Sequence, residues 1–133
     1  MKNYVDLLEN TDPEEIVVGN GYSQLSGREI KEQLVGKQFL GNYLHGIEYI
    51  ISINADGSLE GKNTYQHYDI GSWLIDMEEG TMSVNWENGW GNVTTRIYEI
   101  GKEIRMYEKE TGTWRTSLKQ YFDKVQNIKN YQF

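Results

Sequence analysis

Between Gly71 and Met106 the chain alternates bulky apolar and polar residues with a period of two, broken only at short turn-forming stretches. Such a pattern puts every large apolar side chain on one face of an antiparallel meander. Asp69 to Met77 and Thr81 to Glu87 read as neighbouring strands joined at Glu79-Gly80. A tight loop there, with Gly80 taking the positive φ it needs, pairs Met77 with Met82, Ile75 with Val84 and Trp73 with Trp86. A four-residue loop at Asn88 to Gly91 then pairs Trp86 with Val93 and Val84 with Thr95. A two-residue loop at Gly101-Lys102 pairs Ile97 with Met106 and Glu99 with Ile104. Glu110-Thr111-Gly112 suits a three-residue loop, which sets Glu108 against Trp114, Met106 against Thr116 and Ile104 against Leu118. A slip of one residue in any hairpin would turn its apolar set outward, so the facing is well specified.

The flanking sequence extends the same architecture. Lys37 to Leu44 and Ile47 to Asn54 are two more strands around a His45-Gly46 turn. Asn54 to Ser58 is a hairpin signal that makes Gly57 a bulge residue and pairs Ile53 with Leu59 and Tyr49 with Asn63. The third strand runs from Ser58 to about Gln66, where Gly61 permits a bend, and the eighth from Thr113 to about Phe122. Ahead of the strands, Ser26 and Glu29 form a capping box and Leu25 and Ile30 a hydrophobic staple, so a helix over 26–35 should start there and stop at Gly36. Its narrow apolar stripe suits a helix that plugs or flanks a barrel mouth. Asp12-Pro13-Glu14-Glu15 reads as an N-cap, a proline at the first helical position and two dipole-favoured acids. The chain therefore divides into an N-terminal arm with a short helix, 1–22, and a barrel domain, 23–133. The tail from Asp123 is open between a short helix and a strand extension.

Eight strands joined mainly by short loops, with one proline and 14 glycines in 133 residues, favour a mainly β fold: an eight-stranded antiparallel up-and-down barrel. Closure removes both exposed edges. Without cysteine there are no disulfides or thiolate metal sites. A formal charge of −7 argues against a nucleic-acid partner, since phosphates require a basic footprint. The charge is uneven: Glu48 to Glu87 holds eight acidic residues and Lys62 alone among basic ones, whereas Arg96 to Lys129 holds eight basic against five acidic. No apolar run reaches the roughly 20 residues of a membrane span, and the first fifteen residues are too polar for a signal peptide. A cytoplasmic protein is the expectation; a mature exported chain would read the same.

The residues that carry a family likeness are Leu25 to Ile30 ahead of the strands, Asp56 to Gly61, Gly71-Ser72-Trp73, Val84-Asn85-Trp86 and Gly112 to Arg115. With them the chain resembles the lipocalin-like (calycin) group, and more closely the bacterial lipocalin-like domains of unassigned function. True lipocalins carry a G-x-W motif on the first strand, whereas here Lys37 to Tyr43 contains no Trp. The resemblance implies a closed barrel; small barrels of this kind either fill their interior with side chains or hold one small ligand there.

Candidate sites follow from facing. An apolar or amphipathic small molecule would sit among Trp73, Trp86, Trp114, Tyr49, Tyr65 and Met106; the alternative for the same residues is a packed core. On the outer face Arg96 falls opposite Tyr107 and Tyr98 opposite Arg105, with Arg115 beside Tyr107 across the next strand. That surface suits a protein partner or a homodimer contact. It could equally be an ordinary solvated face, or one covered by the helix of 26–35. His45 and His67 read as solvated turn residues, and Asp69, Asp76, Glu78 and Glu79 as an acidic loop cluster without EF-hand spacing. Glu99 and Glu108 share the apolar side and are the carboxylates that acid–base chemistry would use. No nucleophile elbow, P-loop or dinucleotide fingerprint is present, and no cofactor is expected. The leading reading is a noncatalytic small-molecule binding protein. Its rival is a protein-interaction module, of inhibitor or immunity type, acting through its acidic or Arg/Tyr outer face; an enzyme comes third.

Overall fold

The computed structural model describes residues 12–43 and 46–133; the expected turn residue His45 lies outside them. Eight strands follow in order: β1 (Lys37–Tyr43), β2 (Ile47–Ile53), β3 (Ser58–Asn63), β4 (Tyr68–Asp76), β5 (Thr81–Trp86), β6 (Asn92–Ile100), β7 (Glu103–Glu108) and β8 (Trp114–Gln120). Each pairs antiparallel with the next, and β1 also pairs with β8 through Phe39–Gln120 and Gly41–Leu118, closing the barrel. The pairings expected for β2–β3, β6–β7 and most of β7–β8 hold: Ile53 faces Leu59, Ile97 faces Met106 and Ile104 faces Leu118.

Two hairpins differ from the expected register, each by two residues. Ile75 faces Met82 and Trp73 faces Val84, so Trp86 lies beside Gly71 and Met77 has left the ladder for the turn. The cause is Asp76. Its carboxylate accepts the backbone N–H groups of Glu78 (3.1 Å) and Glu79 (3.0 Å), and its carbonyl accepts Gly80 N–H (2.9 Å). These bonds stabilise a turn over 77–80 in place of the shorter loop. Val93 likewise faces Val84 rather than Trp86. A shift by two keeps each side chain on its face, which is why the apolar interior survives.

A third departure matters more. Met106 faces Thr116 but Tyr107 faces Trp114, so Arg115 is an extra residue in β8 with no partner on β7. Expected alternation turned Trp114 inward, opposite Glu108, and Arg115 outward beside Tyr107. This bulge sets Trp114 beside Tyr107, at the rim, and brings Arg115 to the cavity mouth, as bulges re-aim the side chains around them.

One end of the barrel is plugged. The helix α2 (Gly27–Leu34), following a first helix α1 (Glu14–Gly19), starts at the expected capping box: Ser26 Oγ accepts Glu29 N–H (3.1 Å) and the Glu29 carboxylate accepts Ser26 N–H (3.0 Å). It ends before Gly36, whose φ of 81° reverses the chain into β1. Ile30 and Leu34 are fully buried, in one cluster with Leu25, Phe39, Ile53, Leu59, Met82, Ile97, Ile104 and Leu118. Each such side chain contributes about 1.5–3 kcal/mol of burial. Gly27 lets α2 come this close, since a Cβ there would lie 2.6 Å from Met77 Cα.

Both flanking segments pack on the barrel wall. Pro13, not Asp12, occupies the cap position of α1, and no side chain caps it. Asp12 is held elsewhere: its carbonyl accepts the Tyr107 hydroxyl (2.6 Å) and its carboxylate lies 3.7 Å from Arg105. Val17 of α1 packs with Tyr98 and Tyr107. After β8 the chain forms neither an α-helix nor a strand but a strap ending in a single 3-10 turn, Ile128–Asn130. Gln38 brackets it with two bonds to the Val125 backbone (2.8 and 2.7 Å), and Lys62 Nζ donates to the carbonyls of Lys129 and Tyr131, both 2.9 Å away. The lone cation among the acidic strands is thus buried against the strap, where the two carbonyls satisfy its charge.

Candidate functional site

Among the described residues, the end opposite α2 is open. Below it lies a cavity of about 560 Å³, within the range of small-molecule sites. Its walls come from the inner faces of several strands, among them Tyr49, Ile51, Met82, Val84, Trp86, Thr95, Met106 and Leu118. Two glycines leave this room. A Cβ on Gly41 would stand 2.7 Å from the Tyr49 ring, and one on Gly61 would stand 2.8 Å from the indole of Trp90. Gly61, expected as a bend, is therefore the seat of a tryptophan.

Trp90 is the residue that sequence reasoning missed. It lies in the β5–β6 loop, outside any periodicity, yet its side chain folds into the mouth of the barrel. Its ring packs 4.7 Å from Trp86, tilted by 48°, and meets Tyr49 edge-on at 5.8 Å. Asp69, fully buried, holds the loop: its carboxylate accepts the N–H groups of Ile70, Asn88 and Trp90. The Trp90 indole N–H donates to Nδ1 of His67 at 3.2 Å, which puts the imidazole proton on Nε2. His67 itself is positioned by Asn63, whose side-chain oxygen accepts the N–H groups of Tyr65 and His67. The flanking glycines, Gly89 and Gly91, with φ of 107° and 89°, were the one available signal that the loop is bent for a purpose.

Polar groups in the cavity are few and mostly spoken for. Thr116 donates to the Asn42 carbonyl (2.8 Å), so in the 2.6 Å contact with Tyr49 the phenol is the donor. Burial raises the Tyr49 hydroxyl well above its ordinary range, and it stays protonated at any ordinary pH.

Of the residues expected to hold a small molecule, Tyr49, Trp86, Trp114 and Met106 line the cavity. Trp114 does so at the rim, because the bulge turns its indole toward Tyr98 and Tyr107, where its N–H bonds Ser117 Oγ (3.0 Å). Trp73 is not part of the lining; it packs on the core, with its N–H on the Asn54 carbonyl (2.8 Å). Tyr65 lies outside, 74% exposed. Glu108 lines the mouth, but Glu99 is exposed and lines only a second pocket with Gly101 and Phe122, so the two carboxylates form no acid–base pair.

The Arg/Tyr face is not an open surface. Arg96 does face Tyr107, and Tyr98 does face Arg105. However, α1 rather than the helix of 26–35 covers them, leaving Tyr98 and Tyr107 at 3% and 0% exposure. Glu14 grips Arg96 through two bonds (2.6 and 2.7 Å) and accepts the Tyr98 hydroxyl (2.7 Å). The Arg96 fork pulls the Glu14 carboxyl below its ordinary value, while burial, helped by Glu14, pushes Tyr98 up to about 12. Arg115, the fifth residue of that proposed surface, belongs to the cavity mouth instead.

Among the described residues no three His, Asp or Glu side chains approach closely enough to hold a metal, and no helix is long and apolar enough to cross a membrane. The acidic residues Asp69 and Asp76 are engaged in holding separate loops. Fold and site together define an eight-stranded barrel plugged at one end and open to an aromatic cavity at the other. No protein-family model, curated protein or solved structure matches the chain.

Proposed function

We propose that this chain is a noncatalytic, lipocalin-like binding protein that takes one apolar or amphipathic small molecule into the open end of its barrel. The observation that carries this reading is the cavity of about 560 Å³ itself. A small barrel without a ligand role can fill its interior with side chains, as this one does at the α2 end. At the other end Gly41 and Gly61 withhold side chains, and the aromatic residues they admit line the cavity. An apolar cavity with a few placed polar groups is the ordinary composition of a ligand site. The rival reading, a protein-interaction module, draws less support, because its Arg/Tyr face is occupied by the chain's own Glu14 and Val17.

Titration with the neutral fluorophore N-phenyl-naphthylamine tests the reading. Saturable binding of about one probe per chain, with quenching of tryptophan emission and loss of both on Trp86→Ala, is the expected result. Absence of saturable binding by the folded protein overturns it. Native mass spectrometry of protein from its own source would then identify the natural occupant.

A further inference from the structure

We infer that the molecule this cavity accepts is an amphipathic anion, its carboxylate or sulfonate seated on Arg115 at the mouth and its aromatic body between the tryptophans and tyrosines below. The inference rests on the binding reading above and narrows it to a charge class.

Three observations carry it. The first is the bulge. Regular alternation would send Arg115 to the outer wall, and the extra residue in β8 brings it to the cavity mouth instead. Bulges recur where a strand must re-aim a side chain at a site.

The second is charge pairing. Of the four arginines in the sequence, Arg28 has Glu32 within 3.2 Å, Arg96 has Glu14 within 2.6 Å, and Arg105 has Glu103 within 3.4 Å. Arg115 alone has no carboxylate within 4.0 Å among the described residues; it makes one long bond, 3.3 Å, to the carbonyl of Trp90. A guanidinium carries five N–H donors in a planar fork matched to a carboxylate. Here that fork is half-buried beside apolar walls with most of its donors unclaimed.

The third is convergence. The Tyr43 hydroxyl accepts from Asn63 Nδ2 (3.2 Å) and donates to nothing among the described residues. Tyr43 and Tyr49 rings are 5.3 Å apart, Tyr49 meets the Trp90 ring at 5.8 Å, and Arg115 reaches the Trp90 carbonyl. A phenol donor and a guanidinium fork therefore border one region of the cavity, with Trp86 and Trp90 beside it. Glu108 lines the same rim and would disfavour an anion placed against it, so the test must distinguish charge sign.

The experiment is displacement of bound N-phenyl-naphthylamine by a matched series: naphthoate, naphthylmethanol and naphthylmethylammonium. The naphthoate should bind tightest, by about tenfold or more over the alcohol, as expected of a charge-assisted fork. Arg115→Gln should bring the acid and the alcohol to within roughly twofold of each other by weakening the acid far more than the alcohol, with the far-ultraviolet circular dichroism of the wild type. Arg115→Lys should restore part of the preference, since it returns the charge without the fork. The inference is overturned if the acid binds no tighter than the alcohol, if the ammonium binds tightest, or if Arg115→Gln leaves the preference intact. Each of those outcomes leaves the binding reading standing. Failure of the neutral probe to bind at all defeats the binding reading and this inference with it.

Discussion

Glu14 shows how much one side chain organises at the outer wall. Its two carboxylate oxygens take both arms of the Arg96 guanidinium and the Tyr98 hydroxyl, and through that contact α1 stays over Tyr107. Charge-assisted bonds of this kind contribute about 1–3 kcal/mol. Glu14→Gln should therefore lower the unfolding free energy at neutral pH by about that amount, as read from urea denaturation. The pH dependence has a definite sign. The Glu14 carboxyl titrates below its ordinary 4.5, so its contribution is complete above that value and is lost as the pH falls through the lower folded-state value. Wild type and Glu14→Gln should differ at neutral pH and converge in acid. A constant difference down to the acid limit would mean that the carboxylate is not what holds α1.

At the scale of elements, α2 is the plug, and its stability comes from both its cap and its buried stripe. Ser26→Ala removes the capping box and should cost about 1 kcal/mol, and Leu34→Ala should cost about 2–5 kcal/mol because a fully buried leucine leaves a void. Chemical denaturation of the two variants checks the order. This helix was legible in the sequence because its signals are local. So were the strands and the side each residue faces, because a period of two is a local property as well. Register was legible only in part. Displacing a strand by two residues leaves every side chain on its original side, so the apolar pattern cannot distinguish Trp73 opposite Trp86 from Trp73 opposite Val84. The choice fell to Asp76 and its bonds to the turn backbone. The site was less legible still. Tyr49, Trp86 and Met106 were readable from alternation, but Trp90 sits in a loop that has no period. The Arg115 bulge reverses the rule that had assigned Trp114 and Arg115 their sides. That α1 would cover the Arg/Tyr face was hidden because it depends on contacts between residues 82 to 95 positions apart.

For the whole molecule, the two ends of the barrel are physically different. Around α2 the strands are covered by a cluster of buried side chains; around the mouth they line a cavity and end in loops. Hydrogen exchange should follow that asymmetry, with Ile53, Leu59, Ile97 and Ile104 among the slowest amides and those of the 87–91 loop exchanging far sooner. Uniform protection along β2 and β6 would contradict it. Among the described residues, neighbours on both sides of every strand also leave no unpaired edge to recruit another chain. The plug has a kinetic consequence too. With one end stoppered, arrival and departure of a guest through the open end cross the same barrier in opposite directions. Widening that doorway, for instance by shortening the side chain at Trp90, should hasten both passages, and departure the more, because the guest also loses a ring that flanks it.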